Sequence, residues 1–147
     1  MLNKTSLTAT YFNFINEFKL PPEGVALGFG GALVMHGARK ETSDIDADVD
    51  KWIMDWFSVH PFIKHSAFYR PSGEAVKVLT VKHHPLIDLH LKTNQDTSIY
   101  ERINGIPVYT LEYCLEMKRS FNRAKDQKDI RTIEGILADR EELASIL

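Results

Sequence analysis

Gly28-Phe29-Gly30-Gly31-Ala32-Leu33-Val34-Met35-His36-Gly37, followed closely by Thr42-Ser43-Asp44-Ile45-Asp46-Ala47-Asp48-Val49-Asp50, is the stretch on which the fold of this chain turns. Val25 to Phe29 is a short apolar run and reads as a buried strand. Gly30-Gly31 then reads as a tight turn, and Ala32 to His36 as a short helix ended by Gly37. In the second half Ile45, Ala47 and Val49 alternate with Asp44, Asp46, Asp48 and Asp50, the period of a strand, so the two sets face opposite sides. Aspartate is a poor strand former, and a row of them repels itself. A pattern that works against local propensity points to function. A hard divalent cation supplies the compensation, since magnesium is held by one or two carboxylates together with substrate phosphates. The alternative is an edge strand defended by charge. Asp48 and Asp50 read as solvated or capping residues, Asp50 as the N-cap of a helix from Lys51 to Val59.

Outward from this centre, Leu7, Tyr11, Phe14, Ile15 and Phe18 give Thr5 to Leu20 helical spacing, stopped by Pro21-Pro22. Phe68 to Glu74 reads as a strand and turn, with Val76 to Val81 as its hairpin partner. Leu86 to Leu91 is a further strand and Gly105 to Tyr109 a short extended piece. Two helices follow, roughly Leu111 to Ala124 and Asp126 to Leu137. The order predicts a single α/β or α+β domain over 1–147, with a mixed sheet at about 24–110 and a helical part at about 111–147.

The 147 residues fit one core. With 44% hydrophobic and 26% charged residues the chain is neither disordered nor membrane-like. No apolar run approaches the roughly 20 residues of a bilayer span. Cys114 is the one cysteine, so no internal disulfide forms and the expected compartment is the cytoplasm. The net charge of −2 gives no global pull toward nucleic acid. Acids concentrate at Asp44 to Asp50 and bases at Lys118 to Arg131, as a site joining a cation to a polyphosphate requires; two solvated faces are the alternative. His83, His84, Asp88 and His90 invite a zinc site, but no standard zinc spacing accompanies them. Trp52 and Trp56 read as core cover, Cys114 as an inert core thiol, and His36 as a packed or hydrogen-bonded residue.

Gly28-Phe29-Gly30-Gly31, then Ser43-Asp44-Ile45-Asp46 after a short helix, resembles the signature of the polymerase-beta-like nucleotidyltransferase superfamily. The stretch Gly30 to Arg39 with Thr42 to Asp46 is similar to small bacterial members, the lincosamide-type nucleotidyltransferases and the toxins of abortive-infection systems. Ile106 to Glu112, Lys118 and Arg123-Ala124-Lys125-Asp126-Gln127-Lys128-Asp129 are similar to the tail of the same enzymes. The resemblance implies that Asp44 and Asp46 bind metal and that Gly30 and Gly31 shape the turn receiving the triphosphate, with Ser43 beside them as a nucleotide contact. It also implies a third carboxylate, for which Asp88 between apolar neighbours is the candidate; a structural ion pair is its alternative. Relatives often carry Gly-Ser where this chain has Gly-Gly.

The expected activity is transfer of a nucleotide from a nucleoside triphosphate such as ATP to a hydroxyl, using Mg2+, with one or two ions. Asp44 and Asp46 position metal and triphosphate, and Asp88 accepts the acceptor's proton. Lys118 and Arg123, expected five residues apart on one helix, flank the triphosphate tail or belong to a solvated helix. Arg39 and Lys40 contact phosphate or are surface charge. Lys125, Asp126 and Asp129 pair locally or cap the last helix. No large substrate domain is evident, which leaves the acceptor open among small molecule, RNA and protein, and leaves a homodimer open. A catalytically silent nucleotide-binding module is the rival from another class.

Overall fold

The computed structural model describes residues 1–83, 85–92 and 97–147. The elements run α1 (Lys4–Glu17), β1 (Val25–Gly28), α2 (Phe29–Met35), β2 (Ile45–Val49), α3 (Lys51–Ser58), β3 (Lys64–Tyr69), β4 (Ala75–Val81), β5 (Ile87–Leu91), β6 (Tyr100–Ile103), β7 (Ile106–Tyr109), α4 (Leu111–Phe121) and α5 (Gln127–Ile146). Among the described residues the strands form one mixed sheet in the order β3-β4-β5-β2-β1-β7-β6. β1 runs antiparallel to β2 and parallel to β7, while β2 runs parallel to β5. The fold is α+β, as the sequence predicts.

α1 starts where Asn3 accepts from the Ser6 amide and the Ser6 hydroxyl accepts from the Asn3 amide, so two of the helix's free donors are satisfied. Its stripe of Leu7, Tyr11, Phe14 and Ile15 is buried. Together with Ile53 and Phe57 of α3 it joins Ile45, Ala47, Val49, Ile87 and Leu89 in one core. The apolar side of β2 and β5 is thereby used up, which leaves Asp46, Asp48, Asp88 and His90 on the other side.

Several elements differ from expectation. Gly30 and Gly31 make no turn; they lie inside α2, and the left-handed backbone falls on Phe29, at φ 49°. β6 pairs antiparallel with β7 where no strand is legible in the sequence, and α5 continues beyond Leu137 to Ile146. α4 stops at Phe121 because Asn122 turns left-handed at φ 47°, so Lys118 and Arg123 do not share a helix. Trp52 and Trp56 are 53% and 44% exposed rather than covering the core. Cys114 is buried, and burial pushes its thiol up to about 12, as an inert core residue requires. No helix among the described residues is long and apolar enough to cross a membrane.

Candidate active site

The pairing register brings the chemistry together. Asp46 of β2 lies beside Asp88 of β5, Gly28 of β1 beside Asp46, and Thr80 of β4 beside Asp88. One row across four neighbouring strands therefore reads Gly28, Asp46, Asp88, Thr80. Above this row opens a cleft of about 530 Å3. Asp44, Asp46 and Asp88 line it together with Phe29, Gly30, Thr42, Phe68 and His90, and Arg39, Lys118, Arg123 and Lys125 line it too. A larger cavity of about 620 Å3 lies past the other end of β2, around Asp50, Trp52, Lys92 and Tyr100. It holds none of the expected acidic trio, and Lys92 already donates to the Glu23 carbonyl and pairs with Asp50.

Burial first, and then the charges of Asp88, Asp44 and Asp48, push the Asp46 carboxyl from 3.8 up to about 7. Carboxylates crowded into a partly dry cleft raise one another in this way unless a cation joins them. Asp88 accepts a hydrogen bond from the Thr80 hydroxyl at 2.6 Å. Among the described residues no group of three His, Cys, Asp or Glu side chains already stands in metal-holding geometry. The donor set nevertheless fits a hard divalent ion: three carboxylates line one cleft, and the mutual repulsion at Asp46 is of the sign a cation relieves.

The basic side is anchored from beneath. Asp126, fully buried, accepts from the Arg123 side chain at 2.8 and 3.1 Å and pairs with Lys118 at 3.2 Å. Burial works to raise its carboxyl, but the bonds from Arg123 and Lys118 win and hold it down at about 2. Asp129 pairs with Lys118 at 3.1 Å and with Arg39. Lys118 is 14% exposed and so belongs to no solvated face. Asp126 does cap locally, accepting from the Arg123 backbone amide at 3.0 Å, and it also holds the basic side chains of Lys118 and Arg123, while Asp129 reaches Lys118 and, across the chain, Arg39.

Other expected site residues land differently. Gly30 lines the cleft, but the space a side chain would need is filled by Arg39 Nη1 and Thr42 Oγ1, 2.6 and 2.8 Å from an added Cβ. Gly31 is buried against Leu7 and is not among the lining residues. Ser43 is exposed and does not line the cleft; its neighbour Thr42 does, with its hydroxyl bonded to the Asp44 backbone at 3.3 Å. Asp48 is not solvated: it is 8% exposed and accepts from Tyr100 and Tyr109 at 2.9 and 2.7 Å. Asp50 occupies the N-cap of α3 without a side-chain cap bond and pairs with Lys92 instead. His36 bonds the Tyr109 carbonyl at 2.8 Å. His84 lies outside the described residues, and His83 pairs with Glu17 at 3.2 Å.

No protein-family model matches the chain, and no curated protein matches its sequence. Among solved structures, the crystal structure of JHP933 from Helicobacter pylori is similar at 13% identity and a TM-score of 0.48. The match covers 86% of this chain and 64% of that one, so the chain spans less than two thirds of that protein's length.

Proposed function

We propose that the chain is a metal-dependent nucleotidyltransferase that moves a nucleoside monophosphate from a nucleoside triphosphate to a hydroxyl acceptor. One observation carries this reading: Asp46 and Asp88 lie in register on adjacent strands in the same cleft that Arg39, Lys118 and Arg123 line. Bare carboxylates repel a polyphosphate, while the three basic side chains exceed the two carboxylates, Asp126 and Asp129, that pair with them. A metal–nucleotide complex uses both. The sequence resemblance of Gly30-Gly31 and Asp44-Ile45-Asp46 to the superfamily signature adds independent support.

Divalent cations, Mg2+ in the first instance, would be held by Asp44, Asp46 and Asp88 and would neutralise charge on the α-phosphate and the departing pyrophosphate. The acceptor oxygen forms a bond to the α-phosphorus while the bond to the bridging oxygen of pyrophosphate breaks. Asp88, fixed by Thr80, takes the acceptor's proton. Arg39, Lys118 and Arg123 receive the pyrophosphate charge. Their ion pairs with Asp126 and Asp129 hold them in place before substrate arrives, which reduces the reorganisation that transfer requires.

Incubating the protein with each α-labelled nucleoside triphosphate, Mg2+ and cell extract tests the reading. Label is expected on an acceptor, and Asp44→Asn or Asp46→Asn is expected to cut transfer more than about 100-fold, because several kcal/mol of charge stabilisation is removed. Unchanged transfer in either folded variant contradicts the assignment. A catalytically silent nucleotide-binding module is the second reading, favoured because no three His, Cys, Asp or Glu side chains among the described residues already stand in metal-holding geometry. Saturable nucleotide binding with no label transfer selects it.

A further inference from the structure

Asp48 is a buried carboxylate that the transfer chemistry above does not use. Both hydroxyls that satisfy it, from Tyr100 and Tyr109, donate to one oxygen, Oδ2. The other oxygen, Oδ1, lies 3.9 Å from Nδ1 of His90. His90 is equally enclosed. Its side chain is 6% exposed, and the rings of Phe29 and Phe68 meet it edge-on at 5.8 and 5.6 Å. Nδ1 is buried without a hydrogen-bond partner. The second ring nitrogen, Nε2, lies 3.7 Å from Oδ1 of Asp46. In the parallel register Asp46 stands beside Asp88 and Asp48 beside His90, which makes a two-by-two block on one face of the sheet.

A histidine kept for packing normally satisfies its buried nitrogens. This one stands between two carboxylates, one locked by tyrosines and one lining the cleft, and hydrogen-bonds neither. A metal-ligating imidazole needs that setting: one ring N–H donates a hydrogen bond to a fixed carboxylate, which sets the tautomer and leaves the lone pair of the other nitrogen for the ion. We propose that His90 Nε2 is a ligand of the divalent cation held at Asp46, oriented by Asp48, and that it biases the site toward a first-row transition ion over Mg2+. Mg2+ favours oxygen donors, whereas imidazole suits the later first-row ions; Mn2+, the weakest of that series, is the paramagnetic probe and so the most stringent case. At 3.9 Å the Nδ1 contact is longer than a hydrogen bond, and drawing the ring in is the adjustment that ion binding asks for.

The inference rests on the cation-binding part of the proposed function and on no catalytic step. The test therefore uses the full chain with Mn2+ alone, without nucleotide. Pulsed electron paramagnetic resonance on protein carrying 15N-histidine reads nitrogen coupling to bound Mn2+, and competition with Mg2+ reads the preference. Wild type is expected to show the coupling. His90→Gln, and His90→Asn as a second variant, are expected to lose it, with Mn2+ binding about 10- to 100-fold weaker and Mg2+ binding little changed. Asp48→Asn is expected to keep the coupling while weakening Mn2+ about 10-fold or more. Mn2+ bound to wild type without nitrogen coupling overturns the proposal. So does a wild-type preference retained in a folded His90 variant. If Asp46→Asn abolishes Mn2+ binding while the His90 variants bind normally, the carboxylate site stands and the histidine ligand is rejected. Wild type that binds no Mn2+ removes both.

Discussion

At Asp46 the cost of assembling the cleft takes the form of a pH dependence. The unfolded chain gives up this proton near the ordinary 3.8, while the folded chain keeps it until about 7. Folding thus binds the proton more tightly, so the metal-free protein loses stability as pH rises from about 4 to about 7 and levels off above. The loss is about 4 kcal/mol at most, shared among the neighbouring carboxylates. Asp46→Asn is expected to unfold at a higher temperature than wild type near pH 8 and at a similar one near pH 4, in melts with a chelator present. A wild-type midpoint that does not fall across that window counts against the crowding. Added Mg2+ or Mn2+ is expected to raise the wild-type midpoint near pH 8 and that of the variant far less. Asp44 and Asp46 were legible in the sequence because strand alternation puts the aspartates on one side, whereas Asp88 was named only through the resemblance. The burial of Asp48 was not legible, because the hydroxyls that make it tolerable come from Tyr100 and Tyr109, 52 and 61 residues away.

The glycine pair shows how an element can be recognised for the wrong reason. As a turn, both glycines would serve backbone freedom; inside α2 they serve space, and only one of them serves the cleft. A methyl at Gly30 meets Arg39 and Thr42 at 2.6 and 2.8 Å, whereas a methyl at Gly31 meets only Leu7, at an ordinary 3.7 Å. Gly30→Ala is expected to push Arg39 from Asp129 and weaken nucleotide binding. Gly31→Ala is expected to bind normally and to gain about 0.5–1 kcal/mol from helix propensity. Nucleotide titration and urea unfolding of the two variants check this pair, and equal binding by both defeats the spatial account. β6 escaped the sequence reading for a related reason. Tyr100-Glu101-Arg102-Ile103 has two charged residues at its centre and no alternation, and its strand character comes from pairing with β7.

Across the whole molecule, the α4–α5 end of the chain shares the common core through Leu111, Cys114, Leu115, Ile130 and Ile133, and at the cleft an ion pair to Arg39 ties it to the loop before the acidic strand. Lys118 comes from α4, Arg39 from the loop after α2, Asp126 from the turn just before α5 and Asp129 from its first turn, so two carboxylates tie three segments over the cleft. The bases were legible as a cluster, but their partners were not, because local capping and long-range pairing look alike in sequence. Asp126→Asn leaves Lys118 and Arg123 short of a fully buried counter-charge, although Lys118 keeps Asp129, a loss of about 2 kcal/mol in urea unfolding. Arg119→Ala breaks a pair whose side chains are 56% and 46% exposed and is expected to cost under about 1 kcal/mol. The pH sign is opposite to that of Asp46. A carboxyl held down at about 2 stabilises the fold above about pH 4, and that contribution disappears as pH falls toward 2. Wild type should therefore unfold in acid where Asp126→Asn, already lacking the contribution, changes less. If the two lose stability in parallel below pH 4, Asp126 does not hold this end of the chain over the cleft, and the preset basic side on which pyrophosphate departure relies has no anchor.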